Sequence, residues 1–284
     1  MTTTSVETGA IRPEEMEAWR AHIGREETRR QRLEVEALRR FAAAQGADMD
    51  VERRLPPLAH WAYFVDTVGP GGIGPDGHPR RGGLLPPVRL PRRMFASAVV
   101  SYHEPLALDA EGELLIIVVD VRHRAGKTGD LVFVEVDRRL SQAGRERLVE
   151  RQTIVYRGLG DPVAAVEPVD PPPRDDAEVW LPTPVDLFRF SAVTFNSHRI
   201  HYDQPYAAEE EGYPGLVVHG PFTAAKLFAL AEANAGRPIR RFEFRAVAPL
   251  FVGQPIYLAP GGEEGEVQAI RCDGVVAMSA KAEV

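Results

Sequence analysis

The sequence predicts an α+β fold of two tandem units, each placing helical and loop segments ahead of a run of antiparallel strands. Three observations carry this. The chain has 284 residues, 44% of them hydrophobic, enough for a sizeable core and for about two domains. Segments rich in Val and Ile with turn residues between them form a run over 94–158, and the second half repeats the plan, with strands over 241–283. Between the runs lies a stretch dense in proline and acid, with Pro162, Pro168, Pro171, Pro172 and Pro173. The expected organisation is a disordered start over 1–12, a first unit over 13–160, a linker over 161–177 and a second unit over 178–284.

From Pro13 to about Gln45 the pattern is helical and heavily charged. Glu14 and Glu15 follow Pro13 at a helix start, where carboxylates suit the dipole, and Gly46 is placed to stop the helix. Acids alternate with bases from Arg25 to Arg40, the mark of a solvated helix rather than a nucleic-acid patch. Prolines from Pro56 to Pro91 interrupt any long element over 54–93. Residues 69–83 read as a long loop holding His78, Arg80 and Arg81, with Arg89, Arg92 and Arg93 close behind. Such guanidinium groups suit the phosphates of a carrier, or simply face solvent. Strands are expected at 96–103, 113–123, 130–140 and 148–156. In the second unit a helical and loop region over 183–236 precedes strands at 241–247, 255–258, 266–272 and 275–283.

Charge and cysteine content exclude several classes. The balance of 34 basic to 41 acidic residues gives a net charge of −7, so the chain has no global reason to bind nucleic acid or an anionic membrane. Its longest apolar stretch, 114–119, is far too short for a membrane span. Residues 1–10 lack a basic start followed by an apolar run, so no signal peptide is expected. The lone cysteine, Cys272, excludes an internal disulfide and a thiolate metal cage, and fits a reducing cytoplasm.

The chemistry concentrates in two segments. Residues 190–207 read FSAVTFNSHRIHYDQPYA and residues 212–222 read GYPGLVVHGPF. The first brings Asn196, His198, His201 and Asp203 within a few residues. An imidazole suits acid–base work at neutral pH, although His201 also fits a half-buried structural role. Asn196 fits a helix cap or an Asx-turn. Asp203 either orients His201 or forms a surface pair. His198 and His201 have the spacing of a metal pair, but no third ligand accompanies them and no metal is expected. Pro221 opens an apolar helix to about Ala235, with Phe222, Leu227, Phe228 and Leu230 for the core. Gly220 just ahead of it could permit an unusual backbone angle, and compatibly with that could offer its N–H to an oxyanion.

These segments resemble the hydratase motif of the MaoC-like hotdog family. Thr194, Phe195 and Asn196 lie where that family has Thr-Gly-Asp, and His198 to His201 lie where it has Asn-Pro-Ile-His. Asp203 and Ala207 match directly, and His219 with Gly220 match its later His-Gly. The whole chain, over roughly 14–284, resembles the tandem branch that includes mesaconyl-CoA and itaconyl-CoA hydratases and the mitochondrial type of 3-hydroxyacyl-thioester dehydratase. LPPLAHWAYF at 55–64, DGHPRRGGLLPP at 76–87 and LPRRMFA at 90–96 add to the likeness. The short members carry Asp where Asn196 stands. An amide cannot exchange a proton as a carboxyl does, so proton transfer falls on His201.

The resemblance implies a double hotdog, two antiparallel sheets each wrapping a central helix and fused as a pseudo-dimer, with one site per chain in the second half. It implies a hydro-lyase of acyl thioesters, acting on a short branched or dicarboxylic enoyl-CoA of the mesaconyl-CoA or itaconyl-CoA type. His201, Asn196 and the Gly220 N–H would be catalytic, with Asp203 and His198 in support. Arg199 or Arg245 would meet a substrate carboxylate, and Arg80, Arg81, Arg92 and Arg93 the coenzyme. Coenzyme A would be part of the substrate, with no other cofactor, no nucleic acid and no membrane partner. A homodimer is compatible with this picture. The rivals are a dehydratase of 3-hydroxyacyl chains on a carrier protein, which calls for a deep apolar pocket, and a thioesterase, which calls for an acid near the start of the helix after Gly220. A degenerate acyl-thioester binding protein is the non-enzymatic reading.

Overall fold

The computed structural model describes residues 10–126, 129–170 and 172–284. The expected disordered start therefore lies mostly outside the described residues, as does Pro171 of the linker. All strands join one ten-stranded sheet in which every pairing is antiparallel, so the class is α+β.

The first half opens with α1 (Pro13–Arg20), β1 (Glu26–Arg32) and α2 (Val35–Ala44). The sequence reads as one long helix here, and β1 corrects that. Its residues, EETRRQR, include no apolar side chain, and their burial alternates between exposed and half-buried. It is an edge strand bound only to one neighbour, where such charges blunt further pairing. Arg29 meets Glu27 and Asp66, and Arg30 meets Glu113. Strand pairing thus wins over a pattern that has no hydrophobic period to declare it.

Four long strands follow: β2 (Arg92–Tyr102), β3 (Glu111–Gly126), β4 (Gly129–Gln142) and β5 (Arg145–Arg157). They coincide with the four expected strands; β3, β4 and β5 run past both expected ends, and β2 begins four residues earlier and ends one residue sooner. Between α2 and β2 the chain forms only two short 3-10 turns, Ala59–Ala62 and Pro70–Gly72, as the proline pattern requires.

The second half adds β6 (Glu178–Trp180), α3 (Pro184–Val193), α4 (Gln204–Glu209), α5 (Gly220–Ala235), β7 (Arg241–Ala246), β8 (Ile256–Pro260), β9 (Glu266–Ile270) and β10 (Val276–Glu283). Helix α5 lies against β8, β9 and β10 and reaches across to β2 and β7. Phe222, Ala224, Ala225, Leu227, Phe228 and Ala231 are buried along it, and Leu230 is partly buried. Its alanines let the sheet approach closely, and Gly236, left-handed at φ +62, ends it. No helix among the described residues is long and apolar enough to cross a membrane.

The strand order is β1-β3-β4-β5-β2-β7-β10-β9-β8-β6. The halves therefore meet where β2 pairs with β7, with Ser97 opposite Arg245 and Ser101 opposite Arg241. The start of β2 and the end of β7 lie together on one side of this seam, and the candidate site forms there.

Candidate active site

Helix α3 begins with a reciprocal cap: Thr183 Oγ1 accepts from the Asp186 N–H, and Asp186 Oδ2 accepts from the Thr183 N–H. Beyond the helix, Phe195 takes a left-handed conformation at φ +49, costly for a large side chain and often found beside functional groups. That turn delivers Asn196. Its Oδ1 accepts from the His198 N–H at 3.0 Å, the Asx-turn that was one of its structural alternatives, and its amide NH2 has no partner among the described residues. A 3-10 turn, Arg199–His201, then carries His201 inward.

His201 is buried, and its Nδ1 donates to the Val217 carbonyl oxygen at 2.7 Å. That bond fixes the tautomer: Nδ1 carries the hydrogen and Nε2 presents a lone pair. Val217 is itself held, its N–H donating to Ile200 at 3.0 Å. Behind His201 the ring of His219 stacks at 3.6 Å, and His219 shares a hydrogen bond of 2.8 Å with Ser191. Burial, reinforced by the neighbouring His219 and His198, pushes His201 well below the ordinary imidazole value, so it is neutral at pH 7. Asp203 does not touch His201. It pairs with Arg199 at 2.7 Å and caps α4 through the Tyr206 N–H; the surface pair is the outcome of that alternative.

Gly220 is the first residue of α5. Its φ is not positive, and a Cβ would meet its nearest neighbour, the Phe95 carbonyl oxygen, at an ordinary 3.8 Å. The unusual-angle role is therefore excluded. Its N–H lies among the unpaired donors of the helix start, with Pro221 following.

These groups line one cavity of about 330 Å³. Asn196, His198, His201, Gly220, Val217 and Met278 come from the second half; His78, Arg92, Arg93 and Phe95 come from the first. At His78, Arg93 and Phe95 it adjoins a second cavity of about 400 Å³ in the first half, lined also by Glu27, Arg29, Asp66, Arg80, Arg81, Arg138 and Gln152. Arg93 lies where the two meet, and no carboxylate among the described residues forms an ion pair with it.

The other sequence-flagged cations differ. Arg92 is buried and bonded to the Glu211 carbonyl, with the Glu211 carboxylate 3.8 Å away. Arg81 donates to the carbonyls of Val88, Leu90 and Pro91. Arg80 is exposed and donates to Gly71 at 3.2 Å. Arg199, which lies over the Tyr206 ring, and Arg245, exposed on β7, are both outside the cavity that holds His201.

The sequence places His78 in a long loop but not among the catalytic residues. Its loop docks on the Asn196–Arg199 segment: Ser197 Oγ donates to the Gly77 carbonyl at 2.6 Å and the Arg199 N–H to Asp76 at 2.9 Å. At Gly77, φ is +88 and a Cβ would stand 1.8 Å from the Ser197 carbonyl oxygen, so only glycine permits this approach. The ring of His78 lies 4.0 Å from that of His198. The Asp-Gly-His run was the available signal. Among the described residues no group of three His, Cys, Asp or Glu is arranged to hold a metal ion.

This cluster carries a stability consequence. Burial pushes His78 and His219 down to about 3, and His201 is lowered too. In the unfolded chain all three titrate near about 6.5. Between those values the unfolded chain binds more protons, so stability falls as pH drops below about 6.5 and the loss continues towards about 3. Thermal unfolding followed by circular dichroism should show Tm declining over that window, and less steeply in a His219→Gln variant.

Comparison with known proteins bears on this site. The family model described as "Htd2: Hydroxyacyl-thioester dehydratase type 2" matches residues 58–252. A Chloroflexus aurantiacus relative named mesaconyl-C(4)-CoA hydratase is 42% identical over 277 residues, covering 94% of this chain and 98% of the relative. The mitochondrial hydroxyacyl-thioester dehydratase type 2 of Schizosaccharomyces pombe is 24% identical, covering 71% of this chain and 76% of its own. Among solved structures, a MaoC-like dehydratase from Phytophthora capsici superposes with a TM-score of 0.67 at 15% identity, over 95% of this chain and 97% of that one. A Mycobacterium tuberculosis protein described as having a double hotdog fold superposes at 0.52 with 14% identity, over 92% and 96%. The fold is the double hotdog.

Proposed function

The chain belongs to the hydroxyacyl-thioester dehydratase type 2 family of hydro-lyases, and from that premise we propose that it adds water across the α,β double bond of a short dicarboxylic enoyl-CoA, of the mesaconyl-CoA or itaconyl-CoA type. The observation that carries this is one small cavity lined together by Asn196, His201, Gly220 and Arg93.

The thioester carbonyl oxygen lies at the start of α5, where the Gly220 N–H and the helix dipole stabilise the enolate that water addition creates. The Asn196 amide positions the water. His201 Nε2 takes a proton from it and returns that proton to the α-carbon; dehydration runs the same steps backwards. A carboxylate on the acyl group needs a cation in such a site; Arg93 and Arg157 both line the cavity without an ion pair among the described residues, and Arg93 is the one that also lines the adjoining cavity. The lining also weighs against a long acyl tail. The adjoining cavity carries Arg29, Arg138, Glu27 and Asp66, where an alkyl chain would strip water from charges without replacing it.

Incubation of the protein with mesaconyl-CoA, itaconyl-CoA and crotonyl-CoA, read by mass and by loss of enoyl absorbance, tests the reading. A gain of one water on a diacid supports it, and turnover of crotonyl-CoA alone removes the diacid assignment. Arg93→Met should raise KM for the diacid by about 10- to 100-fold, since a hydrogen bond to a charged group is worth about 1.5–3 kcal/mol. The same variant should leave crotonyl-CoA kinetics nearly unchanged.

A further inference from the structure

We propose that His78, carried by the first half on a loop docked against the second, is a further catalytic residue of this hydration and holds the reacting water jointly with His201. The proposal rests on the reaction proposed above. Its ground is the fate of each nitrogen. His78 Nδ1 lies 3.2 Å from Asp76 Oδ2, and Asp76 Oδ1 accepts from the His78 N–H at 3.0 Å. The carboxylate therefore takes the Nδ1 hydrogen, and Nε2 is left with a lone pair. Nε2 has no partner among the described residues, yet it is not sealed away from solvent. His78 lines the cavity that holds His201, Asn196 and Gly220.

Asn196 stands where a carboxylate would otherwise accept a hydrogen from the water, and its Oδ1 is already committed to the His198 N–H. That oxygen keeps one lone pair but is turned to the backbone by this bond, and the NH2 can only donate. The water then needs a second acceptor, and His78 Nε2 supplies one, strengthened by the carboxylate behind it. One O–H bond of the water breaks to His201 Nε2 while oxygen bonds to the β-carbon and the π pair moves onto the thioester oxygen. As the enolate collapses, that proton leaves His201 and forms the α C–H bond. The other hydrogen stays on oxygen as the product hydroxyl, and this is the one His78 accepts throughout. No net proton is gained or lost.

Two substitutions separate this role from simple packing against His198. His78→Phe keeps a ring on His198 and removes the acceptor; His78→Gln keeps an acceptor oxygen and removes the ring. The expected result is a kcat for His78→Phe lower by about 10- to 100-fold, with KM and Tm near those of the unaltered protein, and a smaller loss for His78→Gln. Asp76→Asn, which weakens the backing without removing Nε2, should fall between. A His78→Phe variant within about threefold of the unaltered kcat, or one that outperforms His78→Gln, would overturn the role while the reaction stands. Absence of water addition by the unaltered protein would overturn the reaction and the role with it.

Discussion

His201→Asn is expected to lower kcat by about 10²- to 10⁴-fold, the range that general acid–base groups contribute, while KM changes little. Asn is chosen because its amide NH2 can replace Nδ1 as donor to the Val217 carbonyl, so the fold keeps its hydrogen bond and loses only the base. Steady-state kinetics on the diacid substrate, with circular dichroism to confirm folding, measure it. The unaltered enzyme should also show an acid limb well below the ordinary imidazole range, because burial keeps His201 neutral into mild acid. A kcat preserved in His201→Asn would move the proton transfer elsewhere in the cavity.

The second large effect is expected from Gly220→Pro. Proline is welcome at the first position of a helix, and His219 ahead of it already has the extended backbone, φ −61 and ψ 129, that precedes proline without strain. The change removes one N–H and also places a Cβ on the helical residue just before Pro221, a crowding that Gly220→Ala shares and so controls for. If that N–H stabilises the enolate, kcat should fall by about 10²- to 10³-fold. Gly220→Ala keeps the N–H and adds a methyl at ordinary contact distance, so it should retain most of the activity. Equal losses in the two variants would point to crowding rather than to a missing donor.

Much of this architecture was legible beforehand because strands with a buried face carry apolar side chains at regular intervals, Val, Ile and Leu along β3 to β5 and Phe242 and Phe244 in β7. β2 to β5 and β7 to β10 announce themselves that way. β1 does not, because an edge strand whose exposed residues alternate only with half-buried ones can be written wholly in charged and polar residues. The second-half segment was legible because its residues are close in the chain: Asn196, His201 and Gly220 do line one cavity. What pairs with them from far away was not. His78 is brought there by backbone contacts at Gly77 and Asp76, which leave no periodic trace. The arginines show the same limit. Arg92 and Arg93 are neighbours in sequence, yet strand alternation sends one to a buried partner, Glu211, and the other to the cavity wall. Composition alone cannot tell them apart.

The β2–β7 seam has a consequence for how such a chain can change over evolutionary time. The cavity takes walls from both halves, and the strands that join them are the inner margins of each half-sheet. Deleting the first half would strip β7 of its neighbour, leave a bare margin open to aggregation, and flood the histidine cluster with solvent. The half without the motif is therefore bound to the other by inheritance: changes in its distant loops leave the pocket untouched, whereas changes along β2 or at the Asp76–His78 turn reach the cavity wall.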